Sequence, residues 1–290
     1  MRTVSIFGNT FQSDHIDRLR DFFKMLAGMD VRLRVQSDFA AYLAADGVDM
    51  PGVERVECFP ADTDIAISIG GDGTFLRTAE WIGDLAVPVM GINTGHLGYL
   101  AGFSLDRPTE VLEAVSGIYE LSPRMRLELE CSYIPEGFSP LALNEVSISK
   151  GDTTSMVSIR AYIDDRYVAD YQADGLVVST PTGSTAYNLS CGGPIVQPTA
   201  ENIILTPIAP HSLTLRPLVI GATSRLRLEV SSRGEECHVG VDGRTFAIPS
   251  EGVALSLRRA SSRVYVVLPG GSDFASILRA KLRWGERLVQ

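Results

Sequence analysis

Asp64-Ile65-Ala66-Ile67-Ser68-Ile69-Gly70-Gly71-Asp72-Gly73-Thr74 is the stretch around which the chain is organised. Its apolar, β-branched run reads as a buried strand, and it stops abruptly at glycine. The residues that follow, 74–82, have helical spacing, with Phe75, Leu76, Ala79 and Ile82 on one side. Strand, glycine turn and helix in that order bring backbone close to a phosphate and aim the helix N-terminal N–H groups at it. Gly70, Gly71, Gly73 and Thr74 are therefore the phosphate-cradling candidates, since glycine has no Cβ to hold a ligand off. Asp72 is out of place in an anion cradle, because a carboxylate repels phosphate unless it holds a hydroxyl or a metal ion. Standing alone, GGDG reads equally well as a tight turn with Asp as the turn former.

Working outward, residues 3–7 read as a first strand. A helix follows over about 14–29, with Ile16, Leu19, Phe22, Phe23 and Leu26 on its apolar face and Ser13 as its cap. Residues 31–35 alternate as a strand, 37–45 form a short helix, and 53–59 another strand. Beyond the Trp81 helix, 87–92 is a further apolar strand and 109–117 a last helix. This alternation gives an α/β domain over 1–122 with a doubly wound, mostly parallel sheet. Ligands of such sheets sit at the carboxyl ends of the strands. Asp72 falls there, as does Gly91-Ile92-Asn93-Thr94-Gly95-His96-Leu97-Gly98-Tyr99-Leu100. That segment is spaced G-x3-G-x2-G, not GxGxxG, and by itself is equally a strand-to-loop turn at Asn93.

Past residue 122 the pattern changes to short alternating runs: 125–134, 141–150, 156–163, 175–179, 203–206, 225–230, 238–241, 253–257 and 264–268. They predict an all-β domain of two packed antiparallel layers over 123–271. A helix in 272–290, with Ser272 as its cap, packs back on the N-terminal domain. Asn144-Glu145 inside one β-run is either a site or an exposed edge. From Asp174 a strand enters a loop with five hydroxyl residues between Ser179 and Thr185, then a short helix from about Ser184. Hydroxyls and N–H groups at a helix start bind phosphate, ribose or base edges. A capped helix after a Pro turn explains a Ser/Thr pair but not all five. No GxSxG elbow is present.

Composition narrows the function class. The 290 residues are 45% hydrophobic and 21% charged, as in a soluble globular protein with a sizeable core. A formal net charge of −9 argues against a general nucleic-acid binder. Cys58, Cys131, Cys191 and Cys237 are far apart, without metal spacing, and read as reduced thiols. His15, His96, His211 and His238 are not spaced as a zinc pair. With no signal-peptide pattern and no run long enough to span a membrane, the expectation is a cytoplasmic protein.

GGDGT at 70–74, GINTGHLGYL at 91–100, NE at 144–145 and DGLVVSTPTGSTAYNLSCGGPI at 174–195 together strongly resemble the NAD kinase family, in order and spacing, over nearly the whole chain. GGDG alone is shared with related lipid kinases and phosphofructokinases; the combination is more specific. The resemblance implies transfer of the ATP γ-phosphate to the 2′-hydroxyl of the adenosine ribose of NAD, giving NADP. It makes Asp72 the catalytic base. Gly73 and Phe75 would meet NAD, and Arg77 stands where the family usually has a basic residue suited to phosphate. Asn144 and Glu145 resemble the pair on the ribose and adenine side. Asp174, Thr185, Ala186, Tyr187, Asn188 and Ser190 match nicotinamide-side and neighbouring-subunit contacts. Magnesium or manganese would accompany ATP, bridging its oxygens and screening their charge. No Walker A motif is present, so triphosphate binding rests on the glycine loops. Where the family commonly has DGQ this chain has Asp242-Gly243-Arg244, so Arg244 is carried over only weakly. The family implies a homodimer or homotetramer. Two other readings are an NAD- or NADPH-binding sensor without catalysis and a lipid or sugar kinase of the same superfamily. Asp72 argues against the first, and the NE and TPTGSTAY segments against the second.

Overall fold

The computed structural model describes residues 1–10, 15–95, 98–151, 155–233 and 236–285. It divides into two units, Met1–Pro123 with Val264–Gln290, and Arg124–Arg263.

The first unit runs β1 (Arg2–Gly8), α1 (Ile16–Ala27), β2 (Val31–Gln36), α2 (Ser37–Ala45), β3 (Glu54–Val56), β4 (Ile65–Ile69), α3 (Asp72–Ile82), β5 (Pro88–Asn93), β6 (Phe103–Ser104) and α4 (Pro108–Ser116). Its strands pair in parallel in the order β5, β4, β1, β2, β3. Side chains alternate along a strand. Ile65, Ile67 and Ile69 of β4 and Val4 and Ile6 of β1 thus share one face. There they form a core with Leu19, Phe22, Phe23 and Leu26 of α1, Phe39 and Leu43 of α2, and Val111 and Val115 of α4. The small Ala66 and Ser68 point the other way, and so does Phe7, whose ring meets Trp81 of α3 at 5.8 Å. Helices therefore cover both faces, and the five buried residues of β4 are explained by that double cover.

The helix starts differ in detail from expectation. Ser13 lies outside the described residues, and His15 at the α1 cap makes no side-chain capping bond. Helix α3 begins at Asp72, two residues before the expected Thr74, so the carboxylate sits in its first turn. The C-terminal helix Phe274–Leu282 is capped by Asp273, not Ser272: the Ser276 N–H donates to Asp273 Oδ1 at 2.9 Å. None of its residues is buried.

The second unit holds two antiparallel layers. One follows the order Leu218–Gly221, Asn202–Ile208, Gly175–Ser179, Glu145–Lys150, Glu236–Val241, Arg244–Pro249. The other joins Arg166–Ala173, Val157–Ile163, Leu226–Ser232 and the start of Val253–Leu268. Val146, Ile148, Leu176, Val178 and Val239 from one layer meet Ile159, Ala161, Leu228 and Leu255 from the other in one core.

Besides the two-residue β6, three strands escaped the sequence reading: Arg166–Ala173, Leu218–Gly221 and Arg244–Pro249. Of these three, the first lies at a sheet edge after Asp164 and Asp165, which take φ of 51° and 62°, so the apolar pattern is weak and the turn carries no glycine. The runs 253–257 and 264–268 are one strand, Val253–Leu268. Its polar middle is held by ion pairs, Arg258 to Glu128 at 3.1 Å and to Glu130 at 3.2 Å, and Arg259 and Arg263 to Glu201. The end of this strand pairs in parallel with β5, Tyr265 opposite Pro88, which is why the second unit closes at Arg263 and not at the expected 271.

Candidate active site

In the first unit the site grows from the end of β4. Gly70 takes φ +148° and donates its N–H to Ile92 O at 2.9 Å, turning the chain into α3. Gly71 and Gly73 are exposed, and a Cβ at either would meet nothing within 4 Å. Packing within the chain does not demand glycine at these two positions, and Gly73 in a helix costs about 1 kcal/mol against Ala. Their bare backbone suits the approach of a ligand. Thr74 is buried and Phe75 fully so. The aromatic ring therefore supports the turn from inside the unit. Arg77 is exposed, its guanidinium 5.3 Å from the Phe7 ring centroid.

Asp72 binds the second glycine-rich segment. Its Oδ2 accepts the Tyr99 N–H at 2.9 Å, and its Oδ1 accepts those of Leu100 at 3.0 Å and Ala101 at 3.3 Å. A Cβ on Gly98 would lie 2.1 Å from Asp72 Oδ1, so only glycine lets the loop close this tightly. Oδ2 receives one N–H and keeps acceptor capacity for a hydroxyl. At the end of β5, Asn93 Oδ1 accepts the Gly95 N–H at 2.6 Å, forming the turn expected there. His96 and Leu97 lie outside the described residues.

In the second unit, Asn144 and Glu145 are set by a residue the sequence reading did not select. Asp242, at φ +48° in the hairpin turn Asp242-Gly243, folds its carboxylate onto three consecutive amides. Leu143 N–H donates to Oδ2 at 2.6 Å, and Asn144 and Glu145 N–H donate to Oδ1 at 2.8 and 3.1 Å. Burial pushes the Asp242 carboxyl up to about 6 against the pull of these amides and of Arg244. Burial, then the Asp242 charge, pushes Glu145 up to about 8. Glu145 Oε2 is buried without a hydrogen-bond partner. Tyr187 and Cys191 lie beside it: burial, then Cys191 and Glu145, push the Tyr187 hydroxyl up, while burial and Glu145 push the Cys191 thiol up against its hydrogen bond with Tyr187.

The hydroxyl-rich loop reads differently in three dimensions. Thr180 Oγ1 donates to Leu143 O at 2.6 Å and accepts the Gly183 N–H at 3.0 Å. Ser179 donates to Thr180 O at 2.9 Å, and Ser184 donates to Val196 O at 3.2 Å. Thr185 Oγ1 reaches Thr182 O at 3.4 Å. Four of the five hydroxyls thus brace the loop. The fifth, Thr182 Oγ1, is buried with no partner. Asn188 is also a brace: fully buried, it donates to Ser184 O and Pro194 O and accepts from Thr206 Oγ1 at 2.6 Å. The structure brings Asn144 and the loop into contact, since Thr180 N–H donates to Asn144 O at 2.8 Å. Ala186 is half-buried, while Tyr187 and Ser190 are exposed on the same short turn. Asp174 is paired with Lys150 at 2.6 Å. The Arg244 guanidinium lies 4.3 Å from the Phe138 ring centroid.

The model of the ATP-NAD kinase N-terminal domain matches residues 35–119, and that of the ATP-NAD kinase C-terminal domain matches 143–268. The chain belongs to the NAD kinase family. NAD kinase of Bacteroides fragilis is 40% identical over 283 residues, covering 97% of each chain. NAD kinase of Porphyromonas gingivalis is 39% identical over 288 residues, 98% of this chain and 99% of its own. Among solved structures, yeast NADH kinase complexed with NADH superposes with a TM-score of 0.88 at 26% identity, covering 100% of this chain and 90% of its own. An NAD kinase from Archaeoglobus fulgidus in complex with ATP gives 0.70 at 26% identity, covering 93% and 94%.

For this NAD kinase family member the raised Glu145 has a consequence for stability. The folded protein keeps a proton on Glu145 up to about 8, whereas the unfolded chain loses it near the ordinary value of 4.5. The folded state therefore binds more protons in that window, and stability falls as pH rises through it. Glu145→Gln, permanently neutral, removes that slope. Thermal unfolding is expected to show the variant more stable than wild type at about pH 9 and close to it at about pH 5. A difference that stays constant across that range would contradict the buried, proton-holding carboxyl.

Proposed function

We infer that the protein transfers the γ-phosphoryl group of ATP to the 2′-hydroxyl of the adenosine ribose of NAD, giving NADP. The observation that carries this reading is Asp72, a carboxylate fixed by three amides at the head of a helix whose neighbouring glycines leave their backbone open. A sugar hydroxyl is a poor nucleophile. A positioned carboxylate orients it and accepts its proton as the oxygen bonds to the γ-phosphorus and the bond to the β–γ bridging oxygen breaks. The acceptor capacity of Asp72 Oδ2 supports that role. The open amides of the α3 N-terminus suit triphosphate oxygens. Asn144 and Glu145, held by Asp242, support a ribose-binding role, and Tyr187, Ala186 and Ser190 lie on the exposed turn that would carry further dinucleotide contacts.

The divalent ion belongs to the donor as magnesium or manganese ATP. Among the described residues no three His, Cys, Asp or Glu side chains converge. An ion carried on the triphosphate oxygens needs no such cage. Chelating the metal is expected to abolish NADP formation, with recovery on adding excess magnesium; undiminished turnover in chelator would remove the metal from the reaction. Among the described residues, no helix is long and apolar enough to cross a membrane. A cytoplasmic homodimer or homotetramer completes the proposal, and the exposed Tyr167 and Val168 on an edge strand supply apolar surface for such an interface.

A further inference from the structure

We propose that Asp242 is a positioning residue for NAD: by accepting the amides of Leu143, Asn144 and Glu145 it fixes the direction in which the Asn144 and Glu145 side chains leave the strand. This rests on the NAD kinase reading of the site. The geometry is specific. One carboxylate takes three consecutive N–H groups at 2.6, 2.8 and 3.1 Å, and the Asp242 N–H returns to Glu145 O at 3.1 Å. Consecutive amides on a strand ordinarily point to opposite sides. Three converging on one carboxylate mark a local break in that alternation, and the pairing starts again at Val146 opposite Val241. The break falls at Asn144-Glu145, where the strand Glu145–Lys150 begins. The other side of the dipeptide is held as well. Thr180 N–H donates to Asn144 O at 2.8 Å, and Gly183 passes so close that a Cβ would lie 2.2 Å from that oxygen. Held from both sides, Asn144-Glu145 has little freedom to turn away from a ligand.

The groups facing this dipeptide decide its pH behaviour. Asp242 and Arg244 come from the hairpin, and Tyr187 and Cys191 from the short turn. Burial lifts Asp242 to about 6, so below that pH it gains a proton and loses acceptor capacity toward the amides. Affinity for NAD therefore falls as pH drops through about 6.

Asp242→Asn tests the proposal. Asn-Gly is a favoured hairpin turn, so the substitution keeps the turn chemistry. Its carbonyl oxygen retains Asn144 and Glu145, while its amide nitrogen faces the Leu143 N–H and cannot accept it. Steady-state NADP formation is expected to show KM for NAD raised roughly ten- to hundredfold, the size of a lost hydrogen bond to a charged group, with kcat within about threefold. The acid limb near 6 in wild-type kcat/KM for NAD is expected to disappear. An unchanged KM with an intact acid limb would overturn the positioning role while leaving the kinase in place. An equal loss in kcat with KM unchanged would overturn it too. If the variant does not fold, wild-type kcat/KM for NAD measured across pH decides: a flat profile through about 6 overturns the proposal. A wild type that makes no NADP fails the underlying reading instead.

Discussion

Asp72→Asn is expected to lower kcat for NADP formation by about two to four orders of magnitude, the size of an acid–base contribution. The structure says why so small a change is not conservative here. The Asn carbonyl can replace Oδ1 and keep the N–H groups of Leu100 and Ala101. Its NH2 then stands where Oδ2 accepts the Tyr99 N–H, donor against donor. The substitution removes the proton acceptor and loosens the loop that fixes it, the latter at about 1–3 kcal/mol. Steady-state kinetics at saturating NAD and ATP, with a thermal scan to establish folding, checks this. Turnover unchanged by Asn would keep the kinase but move its acceleration onto positioning and the metal.

Gly183→Ala is expected to be the most damaging single methyl in the second unit. The added Cβ would lie 2.2, 2.5 and 2.7 Å from the O, C and Cα of Asn144. These are backbone atoms held by Thr180, and they cannot swing aside as a long side chain would. Overpacking of this kind costs about 3 kcal/mol, which at roughly 2 cal/mol/K of unfolding entropy per residue lowers Tm of a 290-residue chain by about 5 °C. Relief by displacing Asn144 would also weaken NAD binding. Calorimetry with parallel KM measurement tests the point: a variant with wild-type Tm and wild-type KM for NAD would show that the loop is not clamped against Asn144.

Much of the fold was legible because its signals are local. The Ile-rich strand 65–69, the helix face at Leu19, Phe22, Phe23 and Leu26, and the change to alternation past residue 122 each follow from burial on one or two faces. The elements that escaped lack that signal. Arg166–Ala173 is an edge strand with a mostly exposed pattern, and the polar middle of Val253–Leu268 is stabilised by carboxylates distant in sequence.

The candidate site divides the same way. Asp72, Asn144 and Glu145 stand out in sequence because strong polar residues interrupt apolar runs. Asp242 does not, because Asp-Gly is an ordinary hairpin turn, and its second task depends on a strand about a hundred residues away. Composition overstated the hydroxyl loop. Ser179, Thr180, Ser184 and Thr185 answer the loop's own need for hydrogen bonds, and Asn188 is buried among its braces. A donor count along the chain cannot distinguish a group offered to a ligand from one already satisfied.

NADP formation by the purified wild-type protein, given NAD, ATP and magnesium, tests the central claim most directly. The expected result is NADP appearing in step with ADP, with the new phosphate on the adenosine ribose 2′-oxygen and turnover dependent on Asp72. Folded protein that binds NAD yet makes no NADP with ATP or other nucleoside triphosphates would contradict it, and the protein would then be a dinucleotide-binding sensor.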